Sequence, residues 1–128
     1  MPFSLSQTII APASEDAEER EDLEGLEESR TAFATATQSL MGEQTLSLAL
    51  EVKTLASVMS TLLQTWETSH PDNTAARNTV IADLRDAATA ITSMPLQGRL
   101  TDSQRRGLVD AILAKQAELK EIDEPRQR

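Results

Sequence analysis

Apolar side chains recur along this chain in alternating three- and four-residue steps, the spacing of one face of an α-helix. The clearest row is Leu48, Val52, Leu55, Met59, Leu62 and Trp66, widened by Ala56, Val58 and Leu63, and it predicts an amphipathic helix over about 43–69. Upstream, Leu23, Leu26, Phe33 and Leu40 follow at steps of three, seven and seven, interrupted by Arg30 and Thr37 and weakened by Gly25. This narrower stripe predicts a helix over about 15–41, entered from Ser14 as N-cap, with the acids that follow placed where the helix dipole favours negative charge. The frame of the first helix calls for apolar residues at 44 and 47, but these are Gln44 and Ser47, and the apolar frame restarts at Leu48. A break is therefore expected at Gly42, a residue suited to ending a helix; one long helix with a skip is the other solution.

Ser69-His70-Pro71-Asp72-Asn73 is the sharpest punctuation in the chain and predicts a turn. Beyond it, Val80, Leu84, Ala87 and Ile91 predict a third helix over about 73–93, stopped by Pro95. Thr101 and Gln104 have the spacing of a capping box, opening a fourth helix over about 101–123 that carries Leu108, Ile112, Leu119 and Ile122 and ends before Pro125. The five-residue alternation Leu46-Ser47-Leu48-Ala49-Leu50 belongs to the longer helical pattern, so no strand is expected. The expected fold is all-α: a four-helix antiparallel bundle, or helical hairpins with coiled-coil character, in a single domain over 15–123. A disordered leader, 1–14, and a disordered tail, 124–128, flank it. The second helix is apolar over more than one seam, so an arrangement in which the first two helices find partners on another chain is an equal alternative.

Composition narrows the chemistry. The 128 residues are 39% hydrophobic, enough for one modest core. Against 12 Lys and Arg stand 21 Asp and Glu, a net charge of -9 that argues against nucleic acid and anionic membranes as partners. The acidity is concentrated: residues 1–30 hold nine acids and two arginines. There is no cysteine, which removes disulfides, thiolate metal sites and a cysteine nucleophile, and there is one histidine. The longest uncharged run, Thr54–Trp66, has 13 residues, short of a bilayer span, and no basic-flanked apolar leader precedes it. A soluble intracellular protein, cytoplasmic by default, is expected, although a leader of this composition also suits export through an unstructured signal.

Individual residues point the same way. His70 lies before Pro71 without the further nitrogen donors a zinc site needs, so it reads as a turn residue. Asp83 and Asp86 lie opposite the Val80/Leu84/Ile91 stripe, where water would keep both ionised and unfit as a catalytic pair. Glu15–Glu28 lacks the loop pattern of a calcium site. No phosphate-binding or nucleophile motif is present, so no catalytic residue, metal, cofactor or small-molecule substrate is expected. Arg99, Arg105 and Arg106 are the one basic cluster, and Arg105 and Arg106 oppose the dipole at the start of a helix, which makes them candidate partner contacts. The expected function is a non-enzymatic protein–protein interaction module, an adaptor, chaperone-like protein or assembly subunit. It would bind a protein partner or itself through Leu48, Val52, Leu55, Met59, Leu62 and Trp66, with Arg105 and Arg106. The alternative is an acidic regulator that occupies a basic protein surface through Glu15–Glu28.

Overall fold

A computed structural model describes the backbone of residues 2–71 and 74–126 and the side chains of residues 23–71 and 74–120. Its elements are α1 (Pro2–Glu43), α2 (Leu46–Ser69), α3 (Ala75–Ser93) and α4 (Asp102–Arg126), and there is no strand among the described residues. The all-α expectation holds. α1 begins at Pro2, ahead of the helix start expected near Ser14. Once the stretch from Leu23 is helical, each added residue contributes one hydrogen bond without a new nucleation cost. α4 likewise continues to Arg126, past the end expected at Asp123. The side chains of the leader, of Ser14 as N-cap, of Glu15–Asp22 and of the tail lie outside the described residues, as do Asp72 and Asn73.

The helices form a bundle in which α1 packs along α2, α3 along α4, and α4 closes back onto α2. α3 also touches α1 and α2, whereas α1 and α4 do not meet among the described residues. Trp66, Phe33, Met59, Leu63, Leu84 and Ile112 are among the largest side chains in the core. Two buried hydroxyls of α1 are satisfied within the helix, whereas Arg30, the other polar interruption of the stripe besides Thr37, is paired across to α3. The buried Thr37 hydroxyl donates to the Phe33 carbonyl at 2.8 Å, and the buried Ser29 hydroxyl to the Leu26 carbonyl at 2.8 Å, so neither lacks a partner. Arg30 reaches across to α3, where its Nε donates to Asp83 Oδ2 at 2.5 Å. Asp83 is thus half-buried and paired, not in water as its position opposite the α3 stripe implied, because α1 lies over that flank.

The break between α1 and α2 falls two residues beyond Gly42. Gln44 is the residue in the left-handed region, at φ 53°, and its N–H donates to the Leu40 carbonyl at 2.7 Å. Thr45 then caps α2, its Oγ1 accepting from Leu48 N at 3.1 Å. Gln44 bears a non-glycine residue's strain because its buried amide is used twice. Nε2 donates to the Pro95 carbonyl at 2.8 Å, and Oε1 accepts from Gln97 N at 3.0 Å. One side chain therefore locks the α1–α2 turn to the α3–α4 loop. The capping box at the start of α4 is formed as expected: Gln104 N donates to Thr101 Oγ1 at 3.0 Å and Thr101 N to Gln104 Oε1 at 2.9 Å. Gly107, in the interior of α4, has open space where a Cβ would lie, so it marks no close helix approach.

Candidate interaction surfaces

The row Leu48, Val52, Leu55, Met59, Leu62 and Trp66 is the inward side of α2. Val52 and Met59 are wholly buried and Trp66 is 1% exposed, all against the chain's own helices. Leu48, Leu55 and Leu62 are half-buried and pack on the same core. The stripe is an apolar seam, and in the folded chain α1, α3 and α4 pack over it.

Arg105 also turns inward. Its Nη1 donates to the Met94 carbonyl at 2.9 Å and its Nη2 to Asp102 Oδ1 at 2.5 Å, so it satisfies the last turn of α3 and ties it to the start of α4. Its position against the α4 dipole has this tertiary reason and needs no partner. Arg106 is largely exposed and pairs with Asp102 Oδ2 at 2.8 Å. The Asp102 carboxyl is held below the ordinary carboxylate range, first by the hydrogen bond from Arg105 and then by the charge of Arg106. Asp83 acts on Arg30 in the same manner, its hydrogen bond holding the guanidinium above the ordinary value.

At the far end of α2, Trp66 and His70 stack with ring centroids 4.5 Å apart and planes 16° from parallel. The His70 ring Nδ1–H donates to the Trp66 carbonyl at 3.0 Å, and its backbone N–H caps the helix on the carbonyls of Trp66 and Glu67. This is the turn role expected of it. The Trp66 indole N–H has no acceptor among the described residues. Beside this stack, Arg77 is buried and donates to both Glu67 oxygens, at 2.7 and 2.6 Å, and to the Leu119 carbonyl at 2.5 Å. Neither Arg77 nor Gln44 could be singled out from spacing, since the Leu119 carbonyl that Arg77 bonds and the Pro95 and Gln97 groups that Gln44 bonds lie 42 to 53 residues away.

Two surfaces stand out among the described residues. A groove of about 540 Å³ runs between α1 and α3, floored by Phe33, Thr37 and Ala87, with the Arg30–Asp83 pair in its wall and Glu27 and Asp86 at its rim. Its lining contains neither histidine nor cysteine. Among the described residues no three His, Cys, Asp or Glu side chains come together as a metal site. The other surface is the outer face of α2. Leu46 is 48% exposed, Leu50 54% and Val58 40%. Between and beyond them stand Thr54, Thr61, Gln64, Thr65 and Thr68, all exposed and uncharged. Glu51 and Lys53 are the sole charged residues of this face, and neither enters a salt bridge among the described residues.

A soluble helix that buries one side is ordinarily charged on the other. α2 departs from this so far that, among the described residues, it is the one helix long and apolar enough by length and composition to cross a membrane, at a mean hydropathy of 1.4. Glu51 and Lys53 interrupt the uncharged run of α2, so its longest uncharged run is shorter than a bilayer span even though the helix as a whole is apolar. One third of that stretch is fully buried within the bundle, and Leu46, Leu50 and Val58 are the large apolar side chains of α2 that the fold leaves exposed. The signal was already present in Leu46, Leu48 and Leu50, which three-to-four spacing cannot place on a single helix face. Comparison with known proteins finds no matching family model, no matching characterised sequence and no matching solved structure.

Proposed function

We propose that the protein is a non-enzymatic helical interaction module that binds another protein by packing a helix onto the outer face of α2. The observation that carries this reading is the uncharged, leucine-bearing outer surface of a helix whose inner surface is already satisfied. Leu46, Leu50 and Val58 gain by leaving water, and the small hydroxyl side chains between them let a second helix approach closely. Arg105 is set aside as a contact on this reading, and Arg106 lies on a different helix, α4.

The second reading, an acidic regulator acting through Glu15–Glu28, draws support from the exposure of Glu24, Glu27 and Glu28 on α1. One experiment separates the two. A photo-crosslinking amino acid is placed in turn at Leu50, at Glu28 and at the exposed control position Asp110, in the full-length protein within its native cell extract. The α2 reading expects discrete adducts from position 50 that persist at high salt, and none from position 110. Adducts from position 28 alone, lost as salt screens the charges, would establish the acidic surface instead. Silence at position 50 at every salt concentration would overturn the reading.

A further inference from the structure

We propose that the occupant of the α2 outer face is a second copy of this chain, with the two α2 helices side by side, parallel and in register. The inference rests on the α2 reading and adds the identity and orientation of the partner.

It is argued from the pattern of charge and shape around one helix. Leu50, Thr54, Ser57 and Thr61 follow at steps of four, three and four, which brings them onto one narrow strip along the middle of the outer face. This is the spacing of a helix–helix seam, separate from the inward row that builds the core. Leu46 and Val58 lie on opposite shoulders of that strip and widen it. Glu51 and Lys53 are two residues apart, so they stand about 160° from each other around the helix, one on each edge of the outer face. Positions two apart do not face one another along a helix, so these charges cannot satisfy each other within α2.

A helix presenting an acid on one edge and a base on the other is complementary to itself in one orientation. When two copies are related by an axis parallel to the helices, the Glu51 edge of each meets the Lys53 edge of the other. The two residues are then offset by about 3 Å along the axis, within reach of both long side chains. When the copies run antiparallel, the same edge meets the same edge, acid to acid and base to base. The parallel pair therefore matches both charges at once, and it also sets Leu50 against Leu50 and Thr54 against Thr54 in the seam. Three large apolar side chains a copy make a modest interface, so the pair is expected to be reversible and concentration-dependent, not permanent.

The absence of cysteine makes the test clean, since any introduced thiol is unique. Leu50→Cys, Thr54→Cys and Thr61→Cys alter exposed positions and leave the core untouched. Each full-length variant is oxidised under native conditions and its linked fraction measured, with helicity followed by circular dichroism. The proposal expects all three to form disulfide-linked pairs of twice 14.0 kDa, because in a parallel register every seam residue faces its own copy. In parallel, the unmodified chain is examined by sedimentation up to about 1 mM, where a pair with a dissociation constant of about 0.1 mM is mostly formed. Glu51→Lys alone should weaken the pair roughly tenfold, and the exchange Glu51→Lys with Lys53→Glu should restore it, because the edges are again complementary.

A chain that stays monomeric throughout overturns the proposal. Linkage at a single position only, the mark of an antiparallel pair, overturns it as well, as does an association indifferent to Glu51→Lys. The failure of this inference is distinct from failure of the α2 reading. A crosslink from position 50 to a different protein, in a chain that does not self-associate, keeps the face as a binding site and removes only the second copy as its occupant.

Discussion

Replacing Arg77 with Met is expected to destabilise the fold by about 3–5 kcal/mol, the cost of leaving a buried charge and its partners unmatched. For a chain of this size that corresponds to a fall of roughly 10–20 °C in the thermal midpoint, followed by circular dichroism. The reason lies in where Arg77 sits. It is 3% exposed at the beginning of α3, it holds both oxygens of Glu67 near the end of α2, and it donates to the Leu119 carbonyl on α4. Three helices thus converge on one guanidinium. Met fills much of the same volume but supplies none of the donors, so the Glu67 carboxylate and the Leu119 carbonyl are left in a poorly hydrated end of the bundle. The paired change Arg77→Met with Glu67→Leu should recover most of the loss, because removing both members of a buried ion pair is far cheaper than removing one. A single variant that melts within a degree or two of the parent would show that the network adds nothing, and a pair of changes no better than the single one would show that Glu67 is not its counterpart.

Gln44 carries the next largest expected effect. Gln44→Ala should cost about 2–3 kcal/mol, since it removes two hydrogen bonds that hold the α3–α4 loop and leaves the backbone in a left-handed conformation that alanine tolerates poorly. Gln44→Gly loses the same two hydrogen bonds but no longer opposes the backbone, so it should lie above alanine by about 1 kcal/mol and still below the parent. Urea unfolding of the three proteins gives this order directly, with similar slopes expected throughout. Alanine equal to the parent would mean that the amide does not hold the loop. Glycine below alanine would mean that the φ of 53° is not a source of strain.

These two residues also mark the limit of what the amino-acid pattern discloses. The four helices were legible because each carries its own periodic row, and the start of α4 because Thr101 and Gln104 satisfy each other three residues apart. Local spacing suffices for such features. The break after α1 was legible as a slip of phase, but not as belonging to Gln44, because the strain there is compensated by Pro95 and Gln97 from the opposite hairpin. Asp83 was misplaced for the same reason: its flank of α3 faces water until α1 brings Arg30 over it. Arg105 looked like a residue at odds with its helix until the end of α3 supplied the Met94 carbonyl.

The binding surface shows a different kind of gap. The row from Leu48 to Trp66 is the strongest signal in the chain, and a strong apolar row is equally the mark of a core and of an interface. Deciding between them takes the number of neighbours available, and α1, α3 and α4 proved sufficient to cover it. What distinguishes the outer face of α2 is weaker by periodicity and clearer by omission, since Glu51 and Lys53 are the only charges on a surface that would ordinarily carry many.

The central claim is that the four helices complete one another within a single chain, which frees the outer face of α2 for binding. Trp66 reports on it directly, being the only tryptophan in a chain with no tyrosine and lying at the buried end of α2. Its emission and the far-UV helicity are to be followed together as the full-length protein is diluted across the range in which any self-association is lost. The account predicts a blue-shifted emission and a helical signal per residue that stay constant on dilution. Emission that moves to the red as helicity falls would contradict it, since the inward row of α2 would then depend on another chain for its burial.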